Sequence, residues 1–161
     1  MNLLIITVGG TIDKVYFDAT SEYEVGEPTV TQVYQGALVG IDYELIPLMR
    51  KDSLEMTDED RELIRETCQN SEQDKILITH GTDTMTQTAE CLLGITGKTI
   101  VLTGAMAPAR FKETDAVFNL GLATGAAQAL ESGVYIAMNG QIFPAGKVKK
   151  NREQRRFETL D

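Results

Sequence analysis

Residues 76–85 read Ile-Leu-Ile-Thr-His-Gly-Thr-Asp-Thr-Met, and the rest of the chain is organised around this stretch. Its first four residues are apolar or β-branched, which is typical of a buried strand. Gly81 follows as a turn residue, and a helix is predicted from Thr84. Because a helix start leaves backbone N–H groups unpaired and partially positive, Thr82 and Asp83 lie where a carboxylate or a developing oxyanion would be stabilised. The stretch therefore predicts a strand, a tight turn and a helix start with polar groups suited to chemistry.

Strand and helix patterns alternate along the chain on both sides of this stretch. Helix 57–70 carries the clearest start signal, since Thr57 and Asp60 resemble a capping box. Alternation of this kind implies parallel strands joined by crossover helices. We therefore expect a single α/β domain over residues 1–161, with a doubly wound, mostly parallel, Rossmann-like or flavodoxin-like sheet in three α/β/α layers. Strands are predicted at 3–8, 43–49, 75–79, 98–103 and 134–138, and the remaining helices at 31–38, 84–93 and 115–130.

Small or polar residues directly follow four of the predicted strands. They are Thr11, Ser53, the pair Thr82 and Asp83, and Ala105. Ligands of open parallel sheets bind beyond the carboxyl ends of the strands. The four strand ends are therefore expected to converge on one crevice.

Two segments lie outside the pattern of strands and helices. Residues 13–27 are mixed, polar and rich in turn formers, which predicts a mobile loop with a purpose of its own. Residues 147–156 hold six basic residues against one glutamate and have a net charge of +5, in a chain whose net charge is −9. We interpret this basic segment as a solvated helix face or a contact with an acidic surface, in preference to a phosphate site.

Composition limits the class of protein. A chain of 161 residues with 42% hydrophobic and 24% charged residues is ordinary for one globular domain. The net charge of −9 argues against general nucleic-acid binding. Cys68 and Cys91 fall in predicted helices without paired spacing, which favours reduced thiols and a cytoplasmic protein. No basic region precedes the short apolar run at residues 3–6, so neither a membrane span nor an export signal is expected.

Several chemistries are disfavoured by the residues that the chain lacks. His80 is the single histidine, and no serine stands in a Gly-x-Ser-x-Gly elbow, which argues against a Ser-His-Asp enzyme and against zinc. The glycine motifs lack phosphate-loop and dinucleotide spacing, so no cofactor is expected. His80 is expected to have a structural hydrogen-bonding role. Threonines, a tyrosine, an aspartate and a lysine remain, and these could form a threonine nucleophile with a lysine or tyrosine base. Taken alone, the Thr11 hydroxyl fits a turn or cap role better.

Two short motifs match a known family. Residues 7–12, Thr-Val-Gly-Gly-Thr-Ile, resemble the T-G-G-T-I signature of bacterial-type L-asparaginases, and residues 78–85 are similar to that family's second signature almost letter for letter. Residues 21–26 and 148–151 resemble the family segments that carry the active-site tyrosine and the catalytic lysine, and residues 102–106 also agree. The resemblance covers nearly all of the chain and is to the N-terminal catalytic domain of the family.

The resemblance implies hydrolysis of L-asparagine to L-aspartate and ammonia through an acyl-enzyme, without cofactor or metal, in a homodimer. It implies that Ser53 and Asp83 hold the α-carboxylate and α-amino groups of the substrate. The N–H of Thr82 would stabilise the oxyanion, with the Ala105 carbonyl nearby. The implied catalytic residues are Thr11 as nucleophile, Tyr23 as its activator on the loop, and Thr82, Asp83 and Lys150 as groups that assist proton transfer. The implied substrate-binding residues are Gly10, Ser53, Leu54, Gly81, Thr82, Asp83 and Ala105.

The chain departs from the family pattern in ways that bear on substrate recognition. Family members usually have a second, smaller domain that contributes to the neighbouring active site, so this chain is expected to be a short, single-domain form. Leu54 stands where many relatives have glutamine, and Val8 replaces a smaller residue before the glycines. Weaker or altered substrate recognition is therefore expected. The match around Lys149 and Lys150 is short and leaves the choice between these two lysines open.

Two alternatives to an asparaginase stay open. One is a non-catalytic amino-acid-binding or regulatory module on the same fold, although binding alone does not require Tyr23 and Lys150. The other is an amidohydrolase that acts on glutamine or another amide. The predicted helix 115–130 contains an uncharged run from residue 116 and is a candidate for the apolar dimer interface.

Overall fold

The computed structural model describes residues 1–161 and contains ten strands and four α-helices. Two short 3₁₀ helices, Thr11–Asp13 and Ser53–Glu55, follow the first and fourth strands. In chain order the elements are β1 (Asn2–Gly9), β2 (Lys14–Phe17), β3 (Glu22–Val25), α1 (Val30–Gly36), β4 (Asp42–Lys51), α2 (Asp58–Asn70), β5 (Lys75–Thr79), α3 (Met85–Cys91), β6 (Thr99–Thr103), α4 (Ala116–Ala129), β7 (Gly133–Met138), β8 (Gln141–Pro144), β9 (Val148–Asn151) and β10 (Arg156–Thr159).

The central sheet has six strands in the order β4-β1-β5-β6-β7-β8. All neighbouring pairs are parallel except β7 and β8, which pair antiparallel. Counted along the chain, the five parallel strands have the order 2-1-3-4-5, which is the flavodoxin-like arrangement. The predicted doubly wound α/β fold is confirmed. The antiparallel edge strand β8 was not predicted.

Helices cover both faces of the sheet, which produces three layers. One core cluster lies between the sheet and the helices α2 and α3 and includes Ile6 and Ile78. The other lies between the sheet and the helices α1 and α4 and includes Ile5, Leu77 and Leu120. Because successive side chains of a strand point to opposite faces, strands buried on both faces are continuous apolar runs, as the sequence showed.

The predicted helix at 57–70 forms with the capping box that the sequence indicated. The Thr57 hydroxyl accepts a hydrogen bond from the N–H of Asp60, and the Asp60 carboxylate accepts one from the N–H of Thr57. A bond from Lys51 is the main cause that lowers the pKa of the Asp60 carboxyl. Cys68 and Cys91 lie in α2 and α3 as predicted, and both thiols are free.

Within the predicted mobile loop 13–27, residues 14–25 form a two-stranded hairpin, which the sequence did not indicate. Strands β2 and β3 pair antiparallel, with Tyr16 opposite Tyr23. Most of this Tyr23 hairpin (residues 14–25) is exposed, so its strands lack the alternation of apolar and polar residues by which a strand is recognised. Its predicted mobility stays a prediction.

The basic segment 147–156 contains the first strand and the turn of a second hairpin, so the predicted helix face is wrong. Strands β9 and β10 pair antiparallel and form the lysine hairpin (residues 148–159). Phe157, which is fully buried, lies opposite Lys150 in this pairing. The signal for a hairpin is weak here because charged residues alternate with only two buried apolar side chains, Val148 and Phe157.

Helix α4 packs one face against the sheet and exposes the other. Leu120, Ala123 and Ala127 are fully buried, whereas Val117 and Phe118 are 49% and 66% exposed. The exposed apolar residues are compatible with the predicted interface, which stays a prediction. None of the four helices combines the length and apolar character needed to cross a lipid bilayer.

Candidate active site

The turns after β1, β4 and β5 meet where the sheet reverses its strand order, with β4 on one side of β1 and β5 on the other. Gly10 has a φ of 91°, and a Cβ on this residue would collide with the backbone nitrogen of Gly81. A Cβ on Gly81 would in turn lie 2.6 Å from the Cβ of Ser53. Glycine at these two positions lets the turns after β1, β4 and β5 touch. The turns that carry Thr11, Ser53 and Thr82 are therefore in contact at the topological switch point, where the sequence predicts a crevice.

Lys150 reaches this crevice from the lysine hairpin. Its Nζ donates to the Thr82 Oγ1 at 2.6 Å and to the Asp83 Oδ1 at 2.8 Å. The bond from Lys150 is the largest cause that lowers the pKa of the Asp83 carboxyl, so Asp83 is ionised at neutral pH. Lys149 is exposed and makes no such contact. The geometry thus brings Lys150, and not Lys149, together with Thr82 and Asp83.

The nucleophile candidate Thr11 opens a 3₁₀ helix whose position is held from three sides. The N–H of Gly10 donates to the Lys51 carbonyl at 3.0 Å, which joins the ends of β1 and β4. The N–H of Ala109 donates to the Ile12 carbonyl at 2.9 Å. The Asp13 carboxylate accepts bonds from the N–H and hydroxyl of Thr29 at 2.9 and 2.8 Å. Burial raises the pKa of the Asp13 carboxyl, and these two bonds oppose the shift.

Tyr23, the predicted activator of Thr11, points into an aromatic group on the surface. Its ring lies 5.4 Å from that of Tyr16 and 5.7 Å from that of Phe111, measured between centroids. Tyr23 is 52% exposed, and its hydroxyl makes no hydrogen bond to Thr11. The structure therefore does not bring Tyr23 to the hydroxyl that it is predicted to activate.

Ser53, Leu54 and Ala105 occupy different positions around the crevice. Ser53 is buried, and its hydroxyl and carbonyl accept bonds from the N–H and hydroxyl of Thr84 at 3.3 and 2.7 Å. Leu54 is 64% exposed and contributes an N–H bond to Asp52. Ala105 is buried in the turn after β6. Ser53 is therefore joined directly to the start of α3, whereas the side chain of Leu54 faces solvent.

The single histidine, His80, holds the backbone of the turn that carries Thr82. Nδ1 of His80 donates to the Gly81 carbonyl at 2.7 Å, because that oxygen can only accept. Nε2 then accepts from the Thr88 hydroxyl at 2.8 Å, and Thr88 accepts from the Arg61 Nε at 3.1 Å. This series of hydrogen bonds orients the peptide group between Gly81 and Thr82. The contacts agree with the structural role that the sequence predicted for His80.

Three residues that contact the predicted site were not identified from the sequence. Thr84 holds Ser53, the sulfur of Met106 accepts from the Thr82 hydroxyl at 3.9 Å, and the Arg152 Nε lies 3.4 Å from the Asp83 carboxylate. Thr84 and Met106 stand inside the motifs quoted above, so the motifs themselves were the available signal. Arg152 is placed by the pairing of β9 with β10, and no local pattern indicates its contact.

Comparisons with known proteins agree with this fold. The family model described as "Asparaginase, N-terminal" matches residues 2–160. A probable periplasmic L-asparaginase of Haemophilus influenzae is 34% identical over 92% of the chain, which corresponds to 46% of that protein. A glutaminase-asparaginase of Acinetobacter glutaminasificans is 31% identical, again over 92% of the chain and 49% of the relative. The chain thus spans about half the length of these relatives.

A solved structure gives the same result. The thermostable L-asparaginase from Thermococcus kodakarensis is similar with a TM-score of 0.84 and 26% identity, over 99% of this chain and 51% of that one. The match extends over the sheet, its helices and both hairpins. The chain therefore belongs to the asparaginase family and corresponds to the N-terminal domain of that family.

Proposed function

We propose that this protein hydrolyses the side-chain amide of L-asparagine to L-aspartate and ammonia through an acyl-enzyme on Thr11. One observation carries the proposal: Lys150, Thr82 and Asp83 form a hydrogen-bonded group beside the turn that carries Thr11, because the Gly10 backbone lies against that of Gly81. A threonine hydroxyl is a weak nucleophile and needs a proton acceptor, and a lysine bonded to a second hydroxyl can supply one when neutral. Family membership supports the same class of reaction.

The reaction has two steps that balance without a cofactor. In the first, the Thr11 hydroxyl oxygen attacks the amide carbon, the C–N bond breaks, and the hydroxyl proton leaves with the nitrogen as ammonia. In the second, water cleaves the resulting ester, releases L-aspartate and restores the Thr11 hydroxyl. Lys150 and Thr82 relay protons in both steps, and the ionised Asp83 stabilises the lysine when it carries the proton.

Substrate groups are assigned to the turns around the crevice. Ser53 and Asp83 hold the α-carboxylate and the α-amino group. The Thr82 N–H stabilises the oxyanion and the Ala105 carbonyl orients the amide. Gly10 and Gly81 allow close approach of backbone to substrate, and Leu54 borders the α-groups. One preorganised oxyanion donor contributes about 10²–10³ in rate, so the peptide group held by His80 is a large part of the proposed catalysis.

The proposed mechanism requires the Tyr23 hairpin to move. In the structure Tyr23 contacts Tyr16 and Phe111, whereas activation of Thr11 needs hydrogen-bond distance between the two hydroxyls. The base of the hairpin is fixed, because the N–H of Gly26 donates to the Asp13 carbonyl at 2.8 Å. We propose that the hairpin turns about this base when substrate binds. Loops that close over a substrate exclude water and complete the catalytic group in this way.

Glutamine is the second candidate substrate, and a relative supports it. The similar protein from Acinetobacter glutaminasificans is described as a glutaminase-asparaginase. Leu54 is apolar and 64% exposed, and it stands where the family resemblance implies glutamine in many relatives, so it offers no amide group to a substrate. A binding module without turnover is the remaining alternative.

We also propose that the protein forms a homodimer through the exposed face of α4, with Val117 and Phe118 at the centre of the interface. The cytoplasmic location stays a prediction.

Ammonia release tests the proposed function. Purified protein would be assayed with L-asparagine and with L-glutamine up to high millimolar concentration, beside the variants Thr11→Val and Lys150→Met. We expect turnover of at least one amide and a loss of at least about 100-fold in both variants. Lys149→Met is the matched control, since this neighbouring lysine is exposed, and it should retain wild-type activity.

The outcomes separate the alternatives. Near-parental activity in either variant would remove that residue from the mechanism. No turnover by the wild type, together with a rise in melting temperature on addition of L-aspartate, would favour the binding module. Turnover of glutamine alone would contradict the asparaginase assignment and keep the amidohydrolase.

A further inference from the structure

The turn after β6 is held by a carboxylate that no motif singles out. Asp115 accepts bonds from the N–H of Met106 at both oxygens, at 3.0 and 2.9 Å, and from the N–H of Ala107 at 3.0 Å. Asp115 stands at the N-cap of α4, but its carboxylate makes no cap bond to the backbone N–H groups of that helix. The cap bond comes instead from Thr114, whose hydroxyl accepts from the N–H of Ala116 at 3.1 Å. An aspartate at an N-cap normally bonds its own helix, so this carboxylate serves the turn instead.

Asn119, one helical turn later, holds the other end of the same turn. It is 2% exposed, and its Nδ2 donates to the Gly104 carbonyl at 2.9 Å and to the Asp115 carboxylate at 3.0 Å. A buried amide with both bonds made is rigid, and it also fixes the orientation of the carboxylate. Residues 104–107 are thus held at both ends by α4.

The clamped turn is part of the wall of the candidate active site. Gly104 lies against the His80 carbonyl, and the Met106 sulfur accepts from the Thr82 hydroxyl at 3.9 Å. The same hydroxyl accepts from the Lys150 Nζ at 2.6 Å. Thr82 is therefore held between Lys150 and Met106, and a shift of the turn would move both Met106 and the Ala105 carbonyl relative to it.

We infer that Asp115 and Asn119 are positioning residues of the amide-hydrolysing site, which act through residues 104–107 on Thr82 and on the substrate amide. This inference rests on the proposed function. Neither side chain touches Thr82, and the effect is geometric. A displacement of about 1 Å at a reacting group can lower the rate about 10²-fold. The α-groups of the substrate are assigned to Ser53 and Asp83, on turns that this clamp does not hold, so the effect falls on kcat and not on KM.

Asp115→Asn tests the inference with almost no change in volume. The variant keeps one acceptor oxygen but places an NH₂ group against the donors of Met106 and Asn119. We expect kcat to fall about 10- to 100-fold and KM to stay within about threefold, because the α-group contacts are retained. Amide exchange at Met106 and Ala107, followed by NMR, should accelerate at least about tenfold. Asn119→Ala should give the same pattern.

Glu113→Gln is the matched control, since it makes the same chemical change two residues away on an exposed side chain. It should leave kcat and both exchange rates unchanged. Accelerated exchange with an unchanged kcat would show that the turn is clamped but does not position the reaction, and would overturn the inference. Unchanged exchange would refute the clamp itself. If the wild type hydrolyses no amide, the proposed function fails on that assay and the inference fails with it, while the exchange rates still report on the clamp.

Discussion

The imidazole of His80 should remain neutral well below the usual pKa of histidine. His80 is fully buried, and burial, with a smaller contribution from Arg61, lowers the pKa of the imidazole from 6.5 to about 4. The bond from Nδ1 to the Gly81 carbonyl opposes this shift but does not overcome it. Since that carbonyl can only accept, the neutral ring carries its proton on Nδ1. The tautomer and the pKa are thus predicted together.

The shifted pKa makes folding stability depend on pH in a defined window. The unfolded chain binds a proton at this residue below pH 6.5, whereas the folded chain binds it only below about 4. The stabilising contribution is therefore complete above pH 6.5 and is lost as the pH falls towards 4. Between these two pKa values each pH unit changes the free energy of unfolding by about 1.36 kcal/mol. Lowering the pH from 7 to 5 therefore removes about 2 kcal/mol of the free energy of unfolding.

Two measurements check this prediction, and the first is direct because the chain has one histidine. An NMR titration of the ring resonances should show a neutral imidazole with a proton on Nδ1 at pH 5.5. Urea denaturation of the wild type and of His80→Gln, at pH 7 and pH 5, should show that the wild type loses about 2 kcal/mol more than the variant over this interval. Carboxylates titrate equally in both proteins and cancel in this difference. A midpoint near 6.5 in the folded protein would refute the reasoning.

Two further substitutions probe how the site is held. Gly10→Ala places a Cβ against the Gly81 backbone at a φ of 91°, so the two turns must separate. We expect kcat to fall at least about 100-fold and the melting temperature to fall as well. Near-parental turnover would contradict this expectation. Phe157→Ala empties a fully buried position in the lysine hairpin and should lower the free energy of unfolding by about 3–5 kcal/mol. Arg156→Ala, on an exposed side chain, should change it by no more than about 0.5 kcal/mol. Equal effects of the two substitutions in urea denaturation would argue that Phe157 does not anchor the hairpin that carries Lys150.

The parallel strands of the sheet and the helices that cover it could be predicted because each has a local sequence pattern. The run at residues 76–79 and the capping box at Thr57 need only their own neighbours to be recognised, and both form as predicted. The two hairpins were missed for the opposite reason. Tyr16 pairs with Tyr23 and Phe157 with Lys150 on strands that are largely exposed or rich in charge, so neither pairing has a periodic apolar signal.

The residues of the candidate site and the convergence of their strand ends could be predicted, but the contacts between their side chains could not. Ala105 and the polar residues Thr11, Ser53, Thr82 and Asp83 were expected in one crevice because parallel strands share a carboxyl edge. The choice of Lys150 over Lys149 followed from the register of β9 and β10, which points one lysine into the crevice and the other to solvent. Tyr23 could not be placed, because its position depends on contacts with Phe111, which is distant in sequence.

The family, the doubly wound sheet and the polar strand ends can be read from the sequence, since motifs and apolar periodicity are properties of neighbouring residues. Which groups come into contact depends on the tertiary structure. Three sets of contacts join residues from separate elements: the bonds that Met106 and Ala107 donate to Asp115, the hydrogen bonds that link Arg61 through Thr88 to His80, and the contact of Lys150 with Thr82. Such contacts depend on how helices and hairpins pack on the sheet, and packing is not encoded in any single local pattern.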